Sequence, residues 1–95
     1  MNYYVFYCED APNSEEIRKA VRPAHLARLQ VLSDTEKLLV AGPLIQENNI
    51  VFGSLIIAKF ENLDQAKEWI AADPFVAVAV YQNITVKLFR QAEFT

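Results

Sequence analysis

The chain opens on NYYVFYC at positions 2 to 8, where Tyr3, Val5 and Tyr7 alternate with Tyr4, Phe6 and Cys8. Aromatic and β-branched side chains pack well on a pleated surface, and the polar cluster EDAPNS supplies an exit, so a first strand is predicted here. The period then changes. Asn13 or Ser14 opens a helix whose first turn carries Glu15 and Glu16, at the positive end of the peptide dipoles. Pro23 has no amide hydrogen to donate one turn back and suits the first position of a helix. This predicts a break near Arg22 and a second helix from Pro23 to about Thr35, with Leu26, Leu29, Leu32 and His25 on or beside its inward stripe. LLVAGPLI (38 to 45) reads as a strand, and Pro43 confines it to a sheet edge, where a missing N–H has no partner to disappoint. After the turn QENN, the apolar run IVFGSLIIAKF (50 to 60) is predicted as a central strand. Asn62 and Gln65 resemble a capping box, and Leu63, Ala66, Trp69 and Ile70 then recur at helical spacing. Asp73 as N-cap and Pro74 as first helical residue start a short turn to about Val80, and ITVKLF (84 to 89) closes as a strand.

The order β-α-β-β-α-β is that of an α+β, ferredoxin-like fold, a single domain over residues 1–95 with an antiparallel four-stranded sheet in the order 4-1-3-2. The second strand then falls at an edge, in agreement with Pro43. Both main helices cover one face of the sheet, yet the strands are apolar on both sides. A second subunit packed face to face is the simplest cover, so a homodimer through the sheet faces, with room for a higher oligomer, is predicted.

Composition narrows the function classes. Twelve acidic against nine basic residues give a formal charge of −3 with no basic stripe, which argues against a nucleic-acid partner. The apolar runs fall short of the roughly 20 residues that cross a bilayer, so no membrane partner is expected. Cys8 is the lone cysteine and the first residues enter a strand directly, which together point to a reducing cytoplasm. One histidine and one distant cysteine do not make a metal site, and two isolated glycines do not make a phosphate loop, so no metal or other cofactor is expected.

Topology predicts where chemistry gathers. With the two helices antiparallel, His25 at the start of one lies beside Asp73 at the end of the other, and Arg22, Ser54 and Tyr81 come to the same rim of the sheet. Asp73 would fix the imidazole tautomer and leave the other ring nitrogen to exchange a proton near neutral pH. Arg22 suits an anionic substrate oxygen, and Ser54 and Tyr81 suit a developing oxyanion. Each residue also has a plainer role when taken singly. His25 is then a core imidazole bonded to a carbonyl, Asp73 only a helix cap, Arg22 a solvated helix-end cation, Ser54 a small strand residue, and Tyr81 and Trp69 packing aromatics. Cys8 reads as an inert core thiol.

The segments YYVFY, RPAHLARLQ, AGPL and FGSLIIAKFENLDQAKEWIAADPFVAVAVYQNITVKLF together resemble the YciI or YCII-related family of small bacterial dimeric α+β-barrel proteins. The resemblance implies sheet-mediated dimers and a His-Asp active site that falls on His25 and Asp73, with Arg22, Ser54 and Tyr81 as companions. It also implies lyase or isomerase chemistry by analogy with a family dehydrochlorinase of a chlorinated hydroxyquinol and with muconolactone isomerase. The function expected is therefore cofactor-independent acid–base catalysis on a small anionic organic molecule. A non-catalytic, dimeric ligand-binding module is the alternative.

Overall fold

The computed structural model describes residues 1–94. Seven elements follow one another: β1 (Asn2–Asp10), α1 (Glu15–Asp34), β2 (Leu38–Ile45), β3 (Val51–Phe60), α2 (Leu63–Ala71), α3 (Pro74–Ala77) and β4 (Tyr81–Phe89). The strands form one antiparallel sheet in the order β2-β3-β1-β4, the predicted ferredoxin-like arrangement, with Pro43 on an edge strand. Register sets the two faces. Tyr4, Phe6 and Cys8 stand opposite Ala58, Ile56 and Ser54, and this face packs against Leu29 and Leu32 of α1, Ala66 and Ile70 of α2, and Phe75 of α3.

Two predicted boundaries move. No break occurs near Arg22, because α1 runs unbroken for 20 residues with Pro23 inside it. Pro23 and Lys19, one turn earlier, both lie on the exposed side, so the carbonyl that proline leaves without a donor is within reach of water. The opposite side is held by Arg18, His25, Leu29 and Leu32, all buried, and packing on both sides of the proline overrides its local preference. Leu26 departs from the predicted inward stripe and is 41% exposed. At the other boundary, β4 begins at Tyr81 instead of Ile84, so Tyr81 belongs to the sheet and not to the preceding loop.

The short connections are well capped. Asn62 accepts a hydrogen bond from the Gln65 amide at 2.9 Å, which opens α2. After α3 the chain turns through Ala79 at φ 59°, where the Ala79 and Val80 amides return to the Val76 and Phe75 carbonyls in a Schellman arrangement. That closure carries the chain directly into β4 and fixes Tyr81 beside α3.

Candidate active site

His25 stands in the middle of α1, not at its start, and points to the sheet because residues 18, 25, 29 and 32 share the buried side of that helix. Its Nδ1 lies 2.9 Å from Asp73 Oδ2 and 3.1 Å from Oδ1. An ionised carboxylate only accepts, so Nδ1 carries a proton, and in the neutral ring the free lone pair is that of Nε2. Phe75 stacks on the ring, with centroids 4.3 Å apart and 23° between planes, which fixes its orientation.

Asp73 is fully buried, and its two roles coincide. Oδ1 accepts the Phe75 amide at 2.9 Å as the N-cap of α3, while the same carboxylate receives His25. Arg28 reaches it as well, with Nη1 3.3 Å from Oδ2. Burial alone raises a carboxyl pKa. Here the bonds from His25 and the Phe75 amide, together with the charges of His25 and Arg28, outweigh burial and hold Asp73 below the usual 3.8.

A second buried cluster adjoins the first. Arg18 donates through Nη2 to the Gly53 carbonyl at 2.9 Å and to Ser54 Oγ at 2.8 Å, and its Nε lies 3.5 Å from Asp10 Oδ2. Tyr81 donates its hydroxyl to Ser54 Oγ at 2.8 Å. Two donors occupy both lone pairs of that oxygen, so the Ser54 hydrogen is the one left to give. Burial pushes the Tyr81 phenol upward and outweighs its bond to Ser54, so Tyr81 stays a neutral donor. Burial, with Asp73 and Asp10 nearby, likewise pushes the Cys8 thiol up to about 12, which keeps it protonated and unreactive.

A cavity of about 600 Å³ opens in front of these groups, lined by His25, Ser54, Arg18, Phe75 and, at its mouth, Arg22, with apolar walls that include Leu26, Leu29 and Ile50. Among its lining residues three cations, Arg18, Lys19 and Arg22, face one carboxylate, Glu15. Of the five residues singled out in the sequence, His25 and Ser54 line this cavity and Arg22 is exposed at its edge. Asp73 and Tyr81 sit behind, each touching a lining residue. Arg18, Arg28 and Phe75 escaped sequence reasoning. With α1 taken as broken, the spacing of seven from Arg18 to His25, two turns on one helix face, was lost. Among the described residues no cluster of three or more His, Cys, Asp or Glu side chains is arranged to hold a metal ion.

The YCII-related domain model matches residues 2–90. The chain belongs to the YCII-related family. It is 47% identical over 94 residues to protein YciI of Escherichia coli O6:H1, covering 93% of this chain and 96% of that protein. An uncharacterized protein of Haemophilus influenzae is 46% identical over 95 residues, covering 94% and 97% of the two chains. Among solved structures, 5-chloro-2-hydroxyhydroquinone dehydrochlorinase from Burkholderia phenoliruptrix, in complex with 2,5-dihydroxybenzoquinone, superposes with a TM-score of 0.84 at 25% identity, covering 95% of each chain. A protein from Agrobacterium tumefaciens shares the fold at a TM-score of 0.57 and 18% identity, covering 100% of this chain and 97% of that one. No helix among the described residues is long and apolar enough to cross a membrane.

Proposed function

We propose that this YCII-related protein is an acid–base enzyme that moves a proton on a small, anionic, ring-shaped organic molecule, in a lyase or isomerase step, with no cofactor. One observation carries the reading: an imidazole tied through Nδ1 to a buried carboxylate lines an open cavity of about 600 Å³. In the proposed step Nε2 takes a proton from the substrate, and Asp73 stabilises the imidazolium that results. The electron pair released moves onto a carbonyl oxygen carried by the ring, which the Ser54 hydroxyl and the Arg18 and Arg22 guanidiniums would stabilise as hydrogen-bond donors and cations. Its return expels a leaving group as an anion in a lyase step, or takes the proton back from the imidazolium at another carbon in an isomerase step. Tyr81 acts one bond further back, by filling a Ser54 lone pair. The likeness to a dehydrochlorinase that binds a dihydroxybenzoquinone supports both the ring shape and the reaction class.

Turnover of a panel of small phenolic, quinoid and lactone acids tests this reading. His25→Ala is expected to lower kcat/KM at least about 100-fold on any substrate found. Activity that survives the substitution overturns the reading, and binding with no turnover in either protein assigns the pocket to a ligand-holding module.

The assembly proposed with it is a homodimer in a reducing cytoplasm. The sheet face away from the helices carries Tyr3, Val5, Tyr7, Leu55 and Val40, with Tyr7 39% and Val40 47% exposed. A second copy is the cover proposed for this stripe. Sedimentation equilibrium is expected to return twice the 10.8 kDa chain mass, and a stable monomer contradicts the assembly.

A further inference from the structure

Arg28 forms three contacts at once, and none of them reaches the cavity. Its Nη2 donates to the Trp69 carbonyl at 2.7 Å, its guanidinium lies 4.6 Å from the centre of the Trp69 ring, and Nη1 lies 3.3 Å from Asp73 Oδ2. The Trp69 carbonyl belongs to the last turn of α2, where backbone acceptors lack intrahelical partners and a cation is favoured. The end of one helix thus holds a cation against the carboxylate that orients His25. Oδ2 is the oxygen nearest His25 Nδ1, so the imidazole and the guanidinium compete for the same charge.

We propose that Arg28 is a positioning residue that divides the Asp73 charge with His25 and thereby weakens the pull of that carboxylate on a second ring proton. An unshared, buried carboxylate against Nδ1 favours the imidazolium, which has no lone pair left to accept a substrate proton. A guanidinium on the same oxygen offsets part of that charge and repels a proton arriving on the ring. The other charged or titratable groups around His25 are Glu15, Arg18, Lys19 and Arg22 on α1, which line the same cavity, Asp10 on β1 with Cys8 beside it, and Tyr81 on β4. Cys8 and Tyr81 stay neutral, and Asp10, raised by burial, already has its own guanidinium in Arg18. Arg28 is therefore the cation whose removal changes the Asp73 partnership directly.

This inference rests on His25 as the proton-exchanging group, but its test needs no turnover. The single histidine of the chain is followed by NMR as pH is varied. In Arg28→Gln, which keeps a donor for the Trp69 carbonyl and loses the charge, the titration midpoint of His25 is expected to move upward by about 0.5 to 1 pH unit. Arg28→Met is expected to do the same, whereas Arg28→Lys, which keeps the charge, stays near the unsubstituted protein. If Arg28 is only a staple between α1 and α2, the neutral variants melt earlier and the midpoint does not move, which overturns the proposal. A downward movement, or a failure of both neutral variants to fold, overturns it equally. Loss of the enzyme reading through the His25→Ala assay leaves this result untouched.

Discussion

Asp73→Asn is expected to destabilise the fold by about 3 kcal/mol and, on any substrate found, to lower turnover by about 10³-fold. The amide keeps an oxygen for the Phe75 N–H, so the α3 cap survives the change. What it removes is charge. Nδ1–H of His25 and Nη1 of Arg28 then compete for one neutral oxygen or meet an NH₂ group, and either outcome releases the tautomer that leaves Nε2 free. The pH dependence has a definite sign. Because folding lowers the Asp73 pKa below 3.8, its contribution to stability is present above that value and is lost as pH falls through the lower, folded one. Melting curves of the two proteins should therefore lie furthest apart at neutral pH and approach each other in acid. A gap that persists undiminished in strong acid would mean that packing, not ionisation, makes Asp73 important.

Gly53→Ala is expected to destabilise the fold by about 2 to 3 kcal/mol. A Cβ at this position runs into the Cys8 carbonyl of the neighbouring strand and also presses on Leu44. Backbone cannot yield as a side-chain tip does, so β1 and β3 must part where Glu9 faces Gly53, beside Ser54 and the carbonyl that anchors Arg18. A domain of this size loses roughly 4 to 8 °C in Tm per kcal/mol, which makes the effect plain in thermal melts. Gly42→Ala is the control. Nothing lies within 4 Å of a Cβ placed there, so it should change stability by less than about 0.5 kcal/mol. Equal effects at the two glycines would show that backbone freedom, and not the approach of the strands, explains Gly53.

Period and punctuation made much of this fold legible. Alternation in NYYVFYC, the helical recurrence of Ala66 and Ile70, and the Asp73-Pro74 start each state a local preference that tertiary structure reinforces. The strand order follows from the β-α-β-β-α-β succession and its right-handed crossovers, and Pro43 at an edge agrees with it independently. Pro23 misled for the converse reason. Its local cost is real, but Arg18, His25, Leu29 and Leu32 bury one continuous side of α1, and that burial is invisible until the sheet is in place. The same break hides Arg18, which stands two turns before His25 on the buried side of α1. His25 and Asp73 could be paired from topology alone, because the crossover brings α1 beside the end of α2. Arg18 and Arg28 could not be so placed, since a buried arginine looks in sequence like any solvated helix cation. Their roles come from acceptors on other elements, the Gly53 carbonyl and Ser54 for Arg18, and the Trp69 carbonyl and Asp73 for Arg28.

The chain has a single histidine, so ¹⁵N-histidine labelling yields one imidazole whose two nitrogens are read directly by long-range ¹H–¹⁵N correlation. Above its titration, His25 is expected to hold its proton on Nδ1, bonded to Asp73, with Nε2 bare toward the cavity, and this preference should weaken or reverse in Asp73→Asn. A proton found on Nε2 in the unsubstituted protein, or a tautomer indifferent to Asp73, would contradict the pairing from which the proposed chemistry follows.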